Sequence, residues 1–123
     1  MLSESKRVLV AEDEARLARM IAFKLAREGF EVIAANDGGE ALELCMNRDV
    51  DAVVLDVMMP AMDGFQVLKR IKAYKPNLPV IMLSARSQEK DINYGLELGA
   101  SCYLTKPFRP TELVECLRRQ LGG

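Results

Sequence analysis

Histidine is missing altogether from the 123 residues. That one absence removes Ser-His and Cys-His catalysis and most zinc sites. Cysteine is scarce: Cys45, Cys102 and Cys116 are an odd number, widely spaced and without metal-ligand pairing. They read as buried small hydrophobes in a reducing cytosol, which makes the expected location cytoplasmic. Charge of one sign is not in excess either. Seventeen basic against eighteen acidic residues leave a formal charge of −1, so neither nucleic acid nor an anionic membrane is indicated as a partner. No apolar run approaches the roughly 20 residues that span a bilayer. The segment Met1 to Arg7 has no apolar signal-peptide core. Repeats, low-complexity tracts and internal linkers are lacking, so the chain is expected to be one domain, 1–123, with a core over about residues 6–121.

What is present is a regular alternation. Short apolar runs at Arg7–Ala11, Glu31–Ala35, Ala52–Asp56, Pro79–Leu83 and Cys102–Leu104 are each followed by a helical pattern. The first helix has Leu17, Met20, Ile21 and Leu25 at core spacing and Gly29 as its stop. The second is expected over Glu40–Met46, after a turn at 36–39. The third carries Phe65, Val67, Leu68, Ile71 and Tyr74, and the fourth runs from Asp91 to Leu98. Pro110 opens the fifth as its first residue. Strand followed by helix throughout implies parallel pairing with right-handed crossovers. The fold class is therefore α/β: a doubly wound, flavodoxin-like, five-stranded parallel sheet of order 2-1-3-4-5, covered on both faces.

The third run decides where to look. Ala52-Val53-Val54-Leu55 is apolar without interruption, as befits a strand buried on both faces, and ends in the carboxylate of Asp56. Pro60 and Asp63-Gly64 bring a loop and a turn immediately afterwards. Ligands of open parallel sheets gather at the carboxyl ends of the strands. On this sheet that edge receives Glu12 and Asp13, Asp56, Ser84 and Lys106. Facing carboxylates repel unless a cation lies between them. Magnesium suits few protein carboxylates and retained waters, whereas calcium wants more protein oxygens. A lysine point charge and a hydroxyl beside them suit a phosphoryl group, whose transfer depends on positioning and charge neutralisation. Each residue alone has a plainer reading: a helix cap, a first-turn acid, a surface lysine, a loop hydroxyl, a packing tyrosine. The combination points to an acyl phosphate on Asp56.

Four motifs carry a resemblance over essentially the whole chain: Val10-Ala11-Glu12-Asp13-Glu14, Leu55 to Pro60 with Asp63-Gly64, Leu83-Ser84-Ala85, and Tyr103 to Phe108. The sequence resembles the receiver domains of bacterial two-component response regulators. That resemblance implies a sensor histidine kinase or phosphotransfer domain as donor to Asp56. It implies Mg²⁺, with Mn²⁺ able to substitute, held by Asp13, Asp56 and the main-chain carbonyl of Met58, with Glu12 acting through water. Lys106, joined to Pro107 by a cis peptide, would hold the phosphoryl group, and the main-chain N–H of Ala85 would assist. Ser84 and Tyr103 would be the switch residues of a helix 4–strand 5–helix 5 surface. An effector domain beyond this chain, and a monomer or a phosphorylation-dependent dimer, follow as expectations. Turnover of an external substrate does not.

Departures from the family pattern are Glu12 in place of the commoner aspartate, Ser101-Cys102 where acidic dimer-face residues are common, and Arg109 where a capping Ser or Asn is usual. Three rivals stand beside this reading. An aspartyl-phosphate phosphohydrolase would want a second carboxylate where Met58 stands, and a cap insertion. A flavin binder would want a Gly-rich loop after the first strand. A receiver used only for docking would not be phosphorylated.

Overall fold

The computed structural model describes residues 5–122. Five strands, β1 (Arg7–Ala11), β2 (Glu31–Ala35), β3 (Ala52–Asp56), β4 (Val80–Ser84) and β5 (Cys102–Thr105), form one sheet. Its order is β2-β1-β3-β4-β5 and every pair is parallel. The helices between and after them are α1 (Ala15–Arg27), α2 (Gly38–Asn47), α3 (Gly64–Tyr74), α4 (Glu89–Glu97) and α5 (Pro110–Leu121). The expected architecture and strand order are therefore those of the molecule.

Alternation along the strands divides the apolar side chains between two layers. Leu9, Ala11, Val53, Leu55, Val80 and Met82 face α2 and α3, where they meet Leu42, Cys45, Phe65, Leu68 and Ile71. Val8, Val10, Ala52, Val54, Ile81 and Leu83 face α1 and α5 and meet Ile21, Leu25, Leu113 and Leu117. β3 and β4 are buried at every residue, which explains why their sequences are apolar without alternation.

The differences from expectation lie at helix ends and faces. α2 begins two residues early, because Asp37 caps it: its carboxylate accepts from the Glu40 N–H at 2.8 Å. In return the Glu40 carboxylate accepts from the Asn36 N–H. Gly38 is closed in by Val67 and Met62 and has no room for a side chain. α4 likewise starts at Glu89 and ends at Glu97. At α5, Arg109 offers no side-chain acceptor, yet Glu112 accepts from the Arg109 N–H at 2.9 Å, half of a capping box. Met20 and Tyr74, placed in the core by spacing, are 41% and 56% exposed. Each sits at the margin of its helix's apolar stripe, with Ile21 and Ile71 taking the buried places.

Ile21→Ala should therefore cost about 2–5 kcal/mol. Met20→Ala, on the neighbouring position, should stay within about 0.5 kcal/mol. Urea unfolding of the two variants separates them; equal losses would contradict the assigned helix face.

Candidate functional site

Three loops at the carboxyl edge bring the charged residues together. β1 ends at Ala11, so Glu12 and Asp13 stand directly above it; β3 ends in Asp56 itself. Glu12 is 4% and Asp56 2% exposed, whereas Asp13 faces solvent. Carboxylate oxygens of these three residues all lie within 4.8 Å of one another. From β5, Lys106 Nζ donates to Glu12 Oε1 at 2.9 Å and to Asp56 Oδ2 at 3.2 Å. The other oxygens are held by the backbone: Glu12 Oε2 accepts from the Glu14 N–H at 3.1 Å, and Asp56 Oδ1 from the Met58 N–H at 3.1 Å.

Lys106 is fixed at its backbone as well. Its N–H donates to the Ser84 carbonyl at 2.8 Å, joining the ends of β4 and β5, and its peptide to Pro107 is cis. The Ser84 side chain is fully buried, and its Oγ accepts from the Arg86 N–H at 2.9 Å. Ala85 is exposed beside it. Tyr103 lies on the α2/α3 side of the sheet, packed against Gly95 of α4. Its hydroxyl donates to the Arg86 carbonyl at 2.9 Å. Ser84 and Tyr103 therefore grip the same residue of the β4–α4 loop, Ser84 at the Arg86 N–H and Tyr103 at its carbonyl.

The electrostatics follow from burial and crowding. Desolvation, helped by neighbouring Asp56, pushes the Glu12 carboxyl up to about 7, against the pull of Lys106 and the Glu14 N–H. Burial works to lower the Lys106 ammonium, but hydrogen bonds and charge from Glu12 and Asp56 outweigh it and hold the group above its usual value. Two of the three clustered acids share one ammonium and Asp13 stands beside them, a deficit of positive charge that suits a hard cation with oxygen ligands.

Gly64 belongs to the site too, although the sequence marks it only as a turn residue. A Cβ there would fall 2.2 Å from the Asp56 carbonyl oxygen and 2.7 Å from Val57 Cα. The start of α3 presses directly on the backbone that carries Asp56, and Gly64 N–H donates to the Val57 carbonyl at 2.7 Å. The Asp63–Gln66 capping box fixes that helix start. The sequence signal for the contact was a glycine at the first helical position, away from the C′ and Ncap positions where glycine is enriched.

Residues 8–118 match the response regulator receiver domain family. The chain belongs to that family. This receiver domain is 43% identical over 109 residues to the alkaline phosphatase synthesis transcriptional regulatory protein PhoP of Bacillus subtilis, covering 89% of the chain and 45% of PhoP. It is 42% identical over 118 residues to the response regulator GtcR of Aneurinibacillus migulanus, covering 95% of the chain and 48% of GtcR. The receiver domain thus spans about half the length of these curated relatives. Among solved structures, the receiver domain of the Francisella response regulator 1452 superposes with a TM-score of 0.92 at 37% identity, over 96% of this chain and 98% of that one. CheY of Borrelia burgdorferi, in its complex with CheX, BeF3 and Mg²⁺, does so with a TM-score of 0.89 at 31% identity, over 93% and 87%. The domain is a two-component signalling module, and its Glu12–Asp13–Asp56 cluster fits the metal site of the family. Among the described residues no helix is long and apolar enough to cross a membrane.

A carboxyl held above its unfolded value contributes stability below that value and loses it as pH rises through the folded one. In metal-free buffer the folded domain should therefore lose roughly 1–3 kcal/mol between about pH 5 and pH 8 from Glu12. Glu12→Gln should flatten that slope in denaturation measured across the range. Gly64→Ala should cost about 1–3 kcal/mol or more by overpacking, while Gly39→Ala, with nothing closer than 3.5 Å, should not destabilise the fold.

Proposed function

We propose that Asp56 accepts a phosphoryl group from a phosphohistidine of a sensor kinase or phosphotransfer domain. An Asp56 oxygen attacks phosphorus, the P–N bond breaks, and the freed imidazole takes up a proton. The convergence of Glu12, Asp13 and Asp56 beside Lys106 is the observation that supports this reading. Asp13, Asp56 and the Met58 carbonyl would hold Mg²⁺, or Mn²⁺ in its place, with Glu12 acting through water. When bound, the ion neutralises charge on the transferring phosphoryl group. The Borrelia CheY structure, named with Mg²⁺ and BeF3, favours that metal.

Lys106 moves from carboxylate to phosphoryl oxygen at little cost, because its ammonium already stands between Asp56 and Glu12. Ser84 Oγ and the Ala85 N–H supply further donors at the same edge. Drawing Ser84 toward the phosphoryl group would break its bond to the Arg86 N–H, leaving Tyr103 as the remaining hold on that loop. The α4–β5–α5 surface is the output, available to an effector domain outside this chain, which spans about half the length of its curated relatives. The chain acts as one receiver unit in the cytoplasm, as a monomer or a phosphorylation-dependent dimer. It turns over no external substrate and has no direct contact with nucleic acid or membrane.

Acetyl phosphate with Mg²⁺ should add one phosphoryl mass to the intact protein. Asp56→Asn should abolish the gain, and chelation of the metal should prevent it. Lys106→Ala should slow it by about 10²-fold or more, the loss expected for one preorganised charge donor. An equal gain in Asp56→Asn would dispose of the assignment. Saturating Mg²⁺ alone should also raise the melting temperature above neutral pH, with the gain lost in Asp13→Asn.

A further inference from the structure

Cys102 opens β5 and Cys116 lies in the middle of α5. Both belong to the cluster on the α1/α5 side of the sheet, Cys116 buried and Cys102 half-buried. Both are free thiols. One guanidinium nitrogen, Nη2 of Arg119, lies 3.3 Å from Cys116 Sγ and 4.0 Å from Cys102 Sγ. The shared donor puts both sulfurs beneath one exposed arginine, and the two thiols also interact with each other. Nothing in the phosphoacceptor reading uses this group. A soft metal ion is a poor occupant, because the guanidinium presents a positive charge and no further soft ligand stands by. The same charge eases formation of a thiolate at Cys116 without overcoming its burial, so it assists thiol–disulfide exchange.

We propose that Cys102 and Cys116 form a reversible intramolecular disulfide, with a low-molecular-weight disulfide as oxidant. The half-buried Cys102, as thiolate, attacks one sulfur of the oxidant, and a small thiolate leaves. Cys116, giving up its proton, then attacks the Cys102 sulfur of the mixed disulfide and expels the second small thiolate. Two protein thiols lose two electrons and two protons, and the oxidant is reduced to two small thiols. This order follows from burial. Cys116 is buried, and desolvation first, then contact with Cys102, push its thiol up to about 11, whereas Cys102 is only half-buried and is the sulfur the oxidant can reach. The ring so closed contains Tyr103 and Lys106, and its closure takes from Arg119 the thiols that hold it. Redox state would then bear on the β5–α5 surface independently of Asp56.

The test treats the folded full chain with oxidised glutathione, then weighs it intact without reductant and maps its proteolytic peptides. The expected product is two hydrogens lighter, carries no adduct, joins the Cys102 and Cys116 peptides, and reverts with dithiothreitol. Cys102→Ser and Cys116→Ser should each fail to form it. Cys45→Ser and Asp56→Asn should form it normally, which separates this proposal from the phosphoacceptor reading. Arg119→Gln should slow closure by about threefold or more. A lasting glutathione adduct on Cys102, a Cys102-linked dimer, or inertness of the folded chain under conditions that oxidise the urea-unfolded one would each overturn the proposal.

Discussion

One ammonium shared by two buried carboxylates is the constraint to which the rest of the carboxyl edge conforms. Glu12 and Asp56 are almost wholly removed from water, and Lys106 is the cation that meets them both. Burying two acids at hydrogen-bond distance from one base costs several kcal/mol per ion unless the remaining lone pairs are filled. Here they are filled by the N–H groups of Glu14 and Met58. Those donors come from the β1–α1 and β3–α3 loops, so the loops cannot shift without exposing a buried charge. Lys106 in turn is tied through its own N–H to the end of β4. The parallel order that puts β1 beside β3, with β4 and β5 on one flank, is what allows a single side chain to reach both acids.

The same arrangement leaves the site short of positive charge. Asp13 adds a third carboxylate within 4.8 Å of the other two, and Lys106 cannot neutralise all three. Protonation of Glu12 is one response: burial first, then contact with Asp56, lift its carboxyl to about 7. A divalent cation is the other. The two responses compete for the same charge deficit, which is the physical link between acidity, metal and phosphoryl acceptance on the proposed reading.

Much of this was legible in the sequence, because the features that matter interrupt otherwise regular patterns. Asp56 is visible as the carboxylate ending an apolar strand, and Lys106 as the residue before Pro107 at the end of the last one. That Lys106 would bridge Glu12 and Asp56 was not legible, since the contact joins residues far apart in sequence and depends on strand register. Gly64 looked like the second half of an Asp-Gly turn, and the sequence has no means of showing that a backbone lies 2.2 Å from where its Cβ would be. Met20 beside Ile21 illustrates a different limit: both are apolar and adjacent, and only the docked angle of α1 decides which one is buried. The Cys102–Cys116–Arg119 group needed both periodicities at once. A period of two puts Cys102 and Leu104 on one face of β5, and the helical period puts Leu113, Cys116 and Leu117 on the facing side of α5.

On the proposed reading, the division between firm and loose elements decides which side of the molecule a change at Asp56 reaches. α3 buries Phe65, Val67, Leu68 and Ile71, whereas the buried residue of α4 is Gly95. At about 1.5–3 kcal/mol per large apolar side chain, α3 is held by on the order of 6–12 kcal/mol more transfer free energy than α4. Every residue of β5 is only half-buried, while β3 and β4 are buried throughout. Elements with few buried apolar contacts are those that open first. Tyr103 bears on Gly95 at the seam between these regions and holds the carbonyl of Arg86, the residue whose N–H Ser84 holds. A change at Asp56 that moves Ser84 therefore meets rigid packing toward β3 and α3, and yielding packing toward α4 and β5. On the proposed reading the displacement goes where the resistance is least, toward α4 and β5, while α5, which buries Leu113, Val114, Cys116 and Leu117, stays with the firm part of the fold.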